Sequence, residues 1–189
     1  MGKVVWKPGT MLYPIPPVMV SCGTMQKPNV ITVAWTGIVN SDPPMTYISV
    51  RPERYSHGLI TASGEFVINL TTESLMWTAD LCGVKSGRDM DKFSLKDITA
   101  VPASEVSSPM IEESPLNIEC RVDRILSLGT HDMFLSYIVA VNADEKLIDS
   151  KGKLHLEKAG LVATSHGKYF SLGRQIGTFG YSVSKKRGK

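Results

Sequence analysis

Residues Asn29–Pro52 read NVITVAWTGIVNSDPPMTYISVRP, and the alternation inside this stretch decides the fold. From Val30 to Thr36, Ile31, Val33 and Trp35 fall on one face, and Thr32, Ala34 and Thr36 on the other. A period of two predicts a strand. The bulky face suits a core. The face of small and hydroxyl-bearing residues leaves room above itself. Asn40-Ser41-Asp42-Pro43-Pro44 breaks the chain, and a second strand is predicted over Thr46–Val50. There Ile48 and Val50 share one face, and Tyr47, Ser49 and Arg51 share the other. Arg51 ends the strand with a planar donor fork suited to phosphate. Two such neighbours predict a flat shelf with an anion hook at its end, a site for a planar, phosphorylated ligand.

Upstream, the prolines of Leu12–Pro17 forbid a helix or central strand, and Val18–Cys22 reads as a first strand closed by Gly23. Downstream, Tyr55–Ala62 has helical spacing, with Ser56 near its start and Gly64 after its end. A helix beginning there aims backbone N–H groups and the Ser56 hydroxyl at whatever Arg51 holds. Glu65–Leu70 is predicted as a strand, and Leu75, Met76, Ala79 and Leu81 as the stripe of a second helix ending at Gly83. A polar loop, Val84–Phe93, leads into a helical turn, and residues 97–115, with three prolines, predict a surface connection.

The second half reads as sheet. Leu116–Leu128 alternates and then slips phase at Asp123-Arg124, which predicts a bulge. Gly129-Thr130-His131-Asp132 turns the chain into Met133–Asn142, the clearest hairpin in the sequence. A weaker element surrounds Gly152, and Lys168–Ser182 interleaves aromatics with glycines. Six or so strands with a few short helices, in no βαβ order, predict a mainly β protein built as an antiparallel barrel. No GxGxxG or GxxxxGK[ST] is present, so the dinucleotide and P-loop signatures are absent.

The 189 residues, 42% hydrophobic and 21% charged, fit one globular domain over 1–189, with a core of about 12–182 and a basic tail at 183–189. The net charge of +3 sits partly in that tail, and the body carries no basic stripe, which argues against nucleic acid. Cys22, Cys82 and Cys120 form no CxxC pair, and the four histidines show no metal-ligand spacing, so no metal site is expected. No apolar run is long enough to span a bilayer, and the start lacks a signal peptide's pattern, so a cytoplasmic location away from membranes is expected.

The segments NVITVAWTGIVNSDPPMTYISVRPERYSH, GEFVINL, CGVKSGRDMDKF, GTHDMFLSYIVAV and YFSLGRQIGTFGYS, in this order, resemble the flavoredoxin branch of the flavin reductase-like family. The resemblance implies an FMN-binding split β-barrel, six-stranded, antiparallel and Greek-key, usually a homodimer. It implies non-covalent FMN taking electrons from NAD(P)H or from a protein donor such as ferredoxin, and passing them to free flavin or a protein acceptor. By the same resemblance Asn29, Thr32, Trp35 and Thr36 line the flavin ring, and Ser49, Arg51 and Ser56 hold ribityl and phosphate oxygens. Asn69 and Leu70 close the ring's other edge. Cys82, Ser86, Lys92 and Phe93 belong to a loop folding over the ribityl-phosphate arm. His131 matches the histidine beside which nicotinamide or flavin substrate stacks in NAD(P)H-dependent relatives. Where many relatives have Gly-Glu in the hairpin, this chain reads Leu135-Ser136-Tyr137.

The residues themselves leave alternatives open. Trp35 reads equally as core, because it alternates with Ile31 and Val33. Lys92 suits a solvated loop as well as a ligand contact. Cys82 suits a buried small hydrophobe, and with no partner cysteine nearby it does not suggest thiol–disulfide chemistry.

Overall fold

The computed structural model describes residues 2–183. In chain order the elements are β1 (Val18–Thr24), β2 (Lys27–Val33), β3 (Thr36–Ser41), β4 (Pro44–Val50), α1 (Tyr55–Ser63), β5 (Glu65–Leu70) and α2 (Met76–Val84). There follow β6 (Ala100–Val101), β7 (Met110–Ile111), β8 (Leu116–Ser127), β9 (Asp132–Ala143), β10 (Val162–Ser165) and β11 (Lys168–Ser171). Seven strands form one antiparallel sheet in the order β2-β1-β5-β8-β9-β4-β3.

The two end strands of that order, β2 and β3, are consecutive in the chain and separated only by Ala34 and Trp35. A sheet whose first and last strands are joined by two residues must curl until its edges meet. The Ser49 amide donates to the Trp35 carbonyl at 2.8 Å and ties the joint to β4. Counted as one bent strand, β2 and β3 reduce the seven to the expected six. The mainly β antiparallel barrel is therefore present.

Side chains from several strands meet in one core cluster, among them Val20, Ile31, Ile48, Phe66 and Phe134, with Ile60 from α1. Burying a side chain of this size stabilises by roughly 1.5–3 kcal/mol. β1 is buried on both faces, because Met19 joins a second cluster with Leu75, Ala79 and Cys82 around α2. Gly64 ends α1 in the left-handed region, at φ 69°, with its N–H on the Ile60 carbonyl. In β8 the pairing with β9 shifts between Val122 and Arg124, at the phase slip read from the sequence.

Three expectations are corrected here. The strand predicted over Val30–Thr36 ends at Val33, so Trp35 leaves the barrel interior and is 40% exposed. Residues 97–115 do not merely skirt the surface, since Ile98 and Ile111 are buried in the second cluster and β6 pairs with β7. The β10–β11 hairpin lies where no strand was predicted. Of the tail at 183–189, residues 184–189 lie outside the described residues. No described helix is long and apolar enough to cross a membrane.

Candidate functional site

The barrel's closure creates the site. Where β2 hands over to β3, a cleft of about 180 Å³ is lined by Thr32 to Trp35, by Ser49 and Arg51 from the end of β4, and by Arg54 and His131. Period two sends Ser49 and Arg51 to the same side of β4, opposite the buried Ile48 and Val50. Trp35, freed from the sheet by the bend, stacks on His131 with ring centroids 4.2 Å apart and 27° between planes.

The cleft continues in two directions. On one side, past Ala34, Trp35 and Ser49, lies a chamber of about 580 Å³ walled by Tyr13, Thr36, Tyr47 and Met133, and none of its lining residues is charged. Its outer wall is the N-terminal segment Gly9–Tyr13, with Ile15 beside it. That segment is held by paired backbone hydrogen bonds between Ile15 and Thr164 (3.1 and 2.8 Å) and by the Tyr13–His166 ring contact.

On the other side Arg51 and Arg54 lead into a space of about 380 Å³ completed by Glu53, Ser86 and Arg88. Three guanidiniums there face one carboxylate. The Arg51–Glu53 pair is long, 3.7 Å, and both side chains are more than half exposed, so it holds Arg51 weakly and leaves it able to take another anion. Arg54 is brought to Arg51 by a turn in which its N–H donates to the Arg51 carbonyl at 3.0 Å. It also caps α1, with no side chain satisfying the helix start. His57, in the first turn of α1, bonds Asp132 at 2.8 Å, fastening the helix to the hairpin beside His131.

Thr32, Trp35, Thr36, Ser49, Arg51, Ser86 and His131 are thus gathered around one continuous cleft. Two of their hydroxyls are already engaged: Thr32 donates to the Ala79 carbonyl, and Thr36 to the Tyr47 carbonyl at 2.6 Å. These residues meet the cleft through backbone and carbon rather than through free hydroxyls.

The other expected residues lie elsewhere, each for a visible reason. Asn69 is fully buried, and its amide donates to Met19 and Ser21 and accepts from Ile111 and Asn117. Leu70 packs against the first core cluster. Ser56 is buried, and its hydroxyl accepts from the Asn29 amide at 2.7 Å instead of facing the arginines. Asn29 lies on the far side of Arg88, in a separate chamber. Lys92 is neither solvated nor in the cleft: its ammonium is buried and donates to the Val30 and Cys82 carbonyls at 2.7 and 2.8 Å. Burial draws its pKa down. Cys82 is buried and Phe93 packs beside it in the second cluster, so only the Ser86 half of this loop reaches the cleft.

Burial pushes the Cys22 and Cys82 thiols up to about 11, so neither is a thiolate near neutrality. Burial, with the Arg51 charge, lowers the His131 pKa and favours the neutral ring. Among the described residues no group of three or more His, Cys, Asp or Glu side chains is arranged to hold a metal ion. What remains is a binding surface: cationic at one end, uncharged and aromatic at the other. This donor set fits a phosphorylated molecule with a planar ring.

Arg54 and Arg88 were not anticipated. Arg54 follows Arg51 by three residues at a predicted helix start, and that spacing was the available signal. The N-terminal wall had none, because the chamber it shares with Trp35 and Tyr47 is assembled from distant parts of the chain.

A sequence model described as "Flavin reductase like domain" matches residues 10–159. An Archaeoglobus fulgidus protein is 31% identical over 160 residues, covering 85% of this chain and 89% of the relative. Among solved structures, the flavoredoxin of Desulfovibrio vulgaris (Miyazaki F) superposes with a TM-score of 0.88 at 27% identity, covering 97% of this chain and 100% of that one. Flavoredoxin from Methanosarcina acetivorans gives 0.86 at 27% identity, with the same coverage of both chains.

Proposed function

The chain belongs to the flavin reductase-like family, and from that premise we propose that it binds FMN non-covalently and transfers electrons through it as an NAD(P)H:flavin oxidoreductase. The observation that carries the reading is the polarity of the cleft. Arg51, Arg54 and Arg88, with Ser86, form a phosphate end that opens at Arg51 and Arg54 into the cleft beside Trp35. Bidentate guanidinium contacts favour a phosphate over a neutral group. The Thr32–Trp35 backbone and Ser49 flank the middle, and the uncharged walls around Trp35 and Tyr47 suit a planar ring.

FMN supplies the redox chemistry when bound, and the chain supplies binding, orientation and the surrounding charge. Hydride or electron transfer of this kind needs no nucleophile, which agrees with the protonated thiols of Cys22 and Cys82. His131, neutral and stacked on Trp35, stands where it borders an incoming partner without adding charge. The family's usual homodimer is part of this reading.

The test is the absorption spectrum of FMN-loaded protein under anaerobic addition of NADH or NADPH. Rapid bleaching of the flavin bands establishes the reductase. The second reading, an electron carrier fed by a protein donor, is favoured by the likeness to two flavoredoxins. Bands that persist with both nicotinamides but bleach with a reduced ferredoxin establish that one. A protein that takes up no FMN contradicts both. With a reductase, His131→Ala keeps FMN and lowers the rate.

A further inference from the structure

Among the described residues two buried side-chain atoms lack a hydrogen-bond partner, Thr71 Oγ1 and Asp132 Oδ1. The second belongs to a carboxylate, and a charged group kept half-satisfied inside a fold calls for an explanation. The other oxygen of Asp132 accepts from His57 Nε2 at 2.8 Å, with the two side chains only 14% and 15% exposed. The Ser127 hydroxyl, opposite Asp132 in the β8–β9 ladder, comes close without meeting Oδ1 in hydrogen-bond geometry. With His57 it still holds the carboxyl below its usual range, so the group is ionised.

Neither His57 nor Asp132 lines the cleft. We propose that they are positioning residues for the phosphate: together they fix where α1 starts against the sheet, and so where Arg54 stands. The inference rests on the reading that the arginine end holds the FMN phosphate.

Asp132 is the fixed member of the pair. It sits in β9 between Val50 of β4 and Ser127 of β8. Arg51 follows Val50 and His131 precedes Asp132, so one ladder carries both cleft residues and the carboxylate.

His57 is the member that needs holding. The start of α1 has no side-chain cap. The His57 N–H donates to the Arg54 carbonyl at 3.0 Å, and the Arg54 N–H to the Arg51 carbonyl at 3.0 Å, so Arg54 lies in a turn fixed at one end by Arg51 and at the other by His57. Its guanidinium has no hydrogen bond or ion pair among the described residues, which leaves its place to that turn. Other ties on the helix start run elsewhere: Ser56 accepts from Asn29 of β2 at 2.7 Å, and the Tyr55 ring lies 5.6 Å from the Arg88 guanidinium. Only His57 joins the helix to the ladder of Arg51 and His131. The edge of its ring meets Phe134, with centroids 5.1 Å apart and 72° between planes, which sets the orientation of Nε2. An ionised acceptor makes this bond roughly twice as strong as a neutral one would, and that accounts for a carboxylate kept there.

Titration of the whole, flavin-free chain with FMN and with riboflavin tests the proposal. His57→Phe keeps a ring against Phe134 and removes the nitrogen. It is expected to shrink the preference for FMN over riboflavin at least about threefold, with riboflavin affinity unchanged. His57→Gln, whose amide N–H reaches toward the carboxylate, is expected to restore most of that preference. Glu119→Gln weakens the fold elsewhere, at the Ser104–Val106 amides, and is expected to keep the parent's preference. Should His57→Phe not fold, the double variant His57→Phe/Asp132→Asn, which leaves no buried charge, takes its place with the same expectation. A preference kept in full by these His57 variants overturns the proposal and leaves the phosphate reading standing. A preference lost equally in Glu119→Gln also overturns it, since general loss of stability would then explain the effect. Equal affinity of the parent for both ligands overturns the phosphate reading and this proposal with it.

Discussion

Two regions of this barrel are rich in polar side chains, and they differ in what those side chains have left to give. Where β1, β5 and β8 meet, Asn69 Oδ1 accepts from Ile111 N–H and Asn117 Nδ2 at 3.0 and 2.7 Å, and its Nδ2 donates to Met19 and Ser21 at 2.8 and 2.9 Å. Nearby, buried Glu119 accepts from the N–H groups of Ser104, Glu105 and Val106 and from Asn142. These groups are saturated inside the fold. In the cationic space beside the β2–β3 joint, the guanidiniums of Arg51 and Arg88 have between them a weak ion pair, a single carbonyl and a contact over the Tyr55 ring. Saturated polar groups hold a structure together, and groups with spare capacity on an open cleft are available to a ligand.

The sharpest way to break this comparison is to cut the saturated region. Asn69→Ala strands a buried N–H and an amide and should cost about 3 kcal/mol or more of stability. Denaturant melts should show the loss, and FMN affinity measured on the folded fraction should not change.

Glu119 gives the next largest effect. Burial opposes its charge, but three backbone N–H groups and Asn142 outweigh it and hold the carboxyl below its usual range. Its folded pKa is depressed, so its contribution is complete above the ordinary glutamate range and is lost as pH falls through the lower folded value. Glu119→Gln should cost about 1.5–3 kcal/mol at neutral pH and flatten the acid limb of the stability profile. A profile identical to the parent's would detach Glu119 from the acid response.

In the open region the sign reverses. Arg51→Ala should weaken FMN binding roughly tenfold to a hundredfold while shifting stability by no more than about 0.5 kcal/mol. Trp35→Leu should be mildest, losing about 0.5–1.5 kcal/mol from the stack on His131. A larger drop in melting temperature would mean that Trp35 carries core after all.

The contrast also explains what could be read in advance. Ile48 and Val50 inward with Ser49 and Arg51 outward follow from alternation along one strand, a local property. The bulge near Asp123 was likewise a local slip of phase. Trp35 was misplaced on the core face because alternation carries no mark of where a strand stops. The bend is imposed by closure of the whole sheet. Asn69 looked like a ligand residue because the groups that use up its amide, Ile111 and Asn117, lie more than forty residues away. Lys92 misled for the same reason, with its carbonyl partner on Val30 sixty-two residues off. Whether a polar side chain is saturated depends on partners that only the fold brings together.

The most direct measurement compares the affinities of FMN and riboflavin for the parent chain and for Arg51→Ala. The two ligands differ only by the phosphate. The account predicts that the parent holds FMN at least about tenfold more tightly than riboflavin, and that Arg51→Ala shrinks this preference while leaving riboflavin binding unchanged. Equal affinity for both ligands in the parent chain would contradict it, because the arginine end of the cleft would then hold no phosphate.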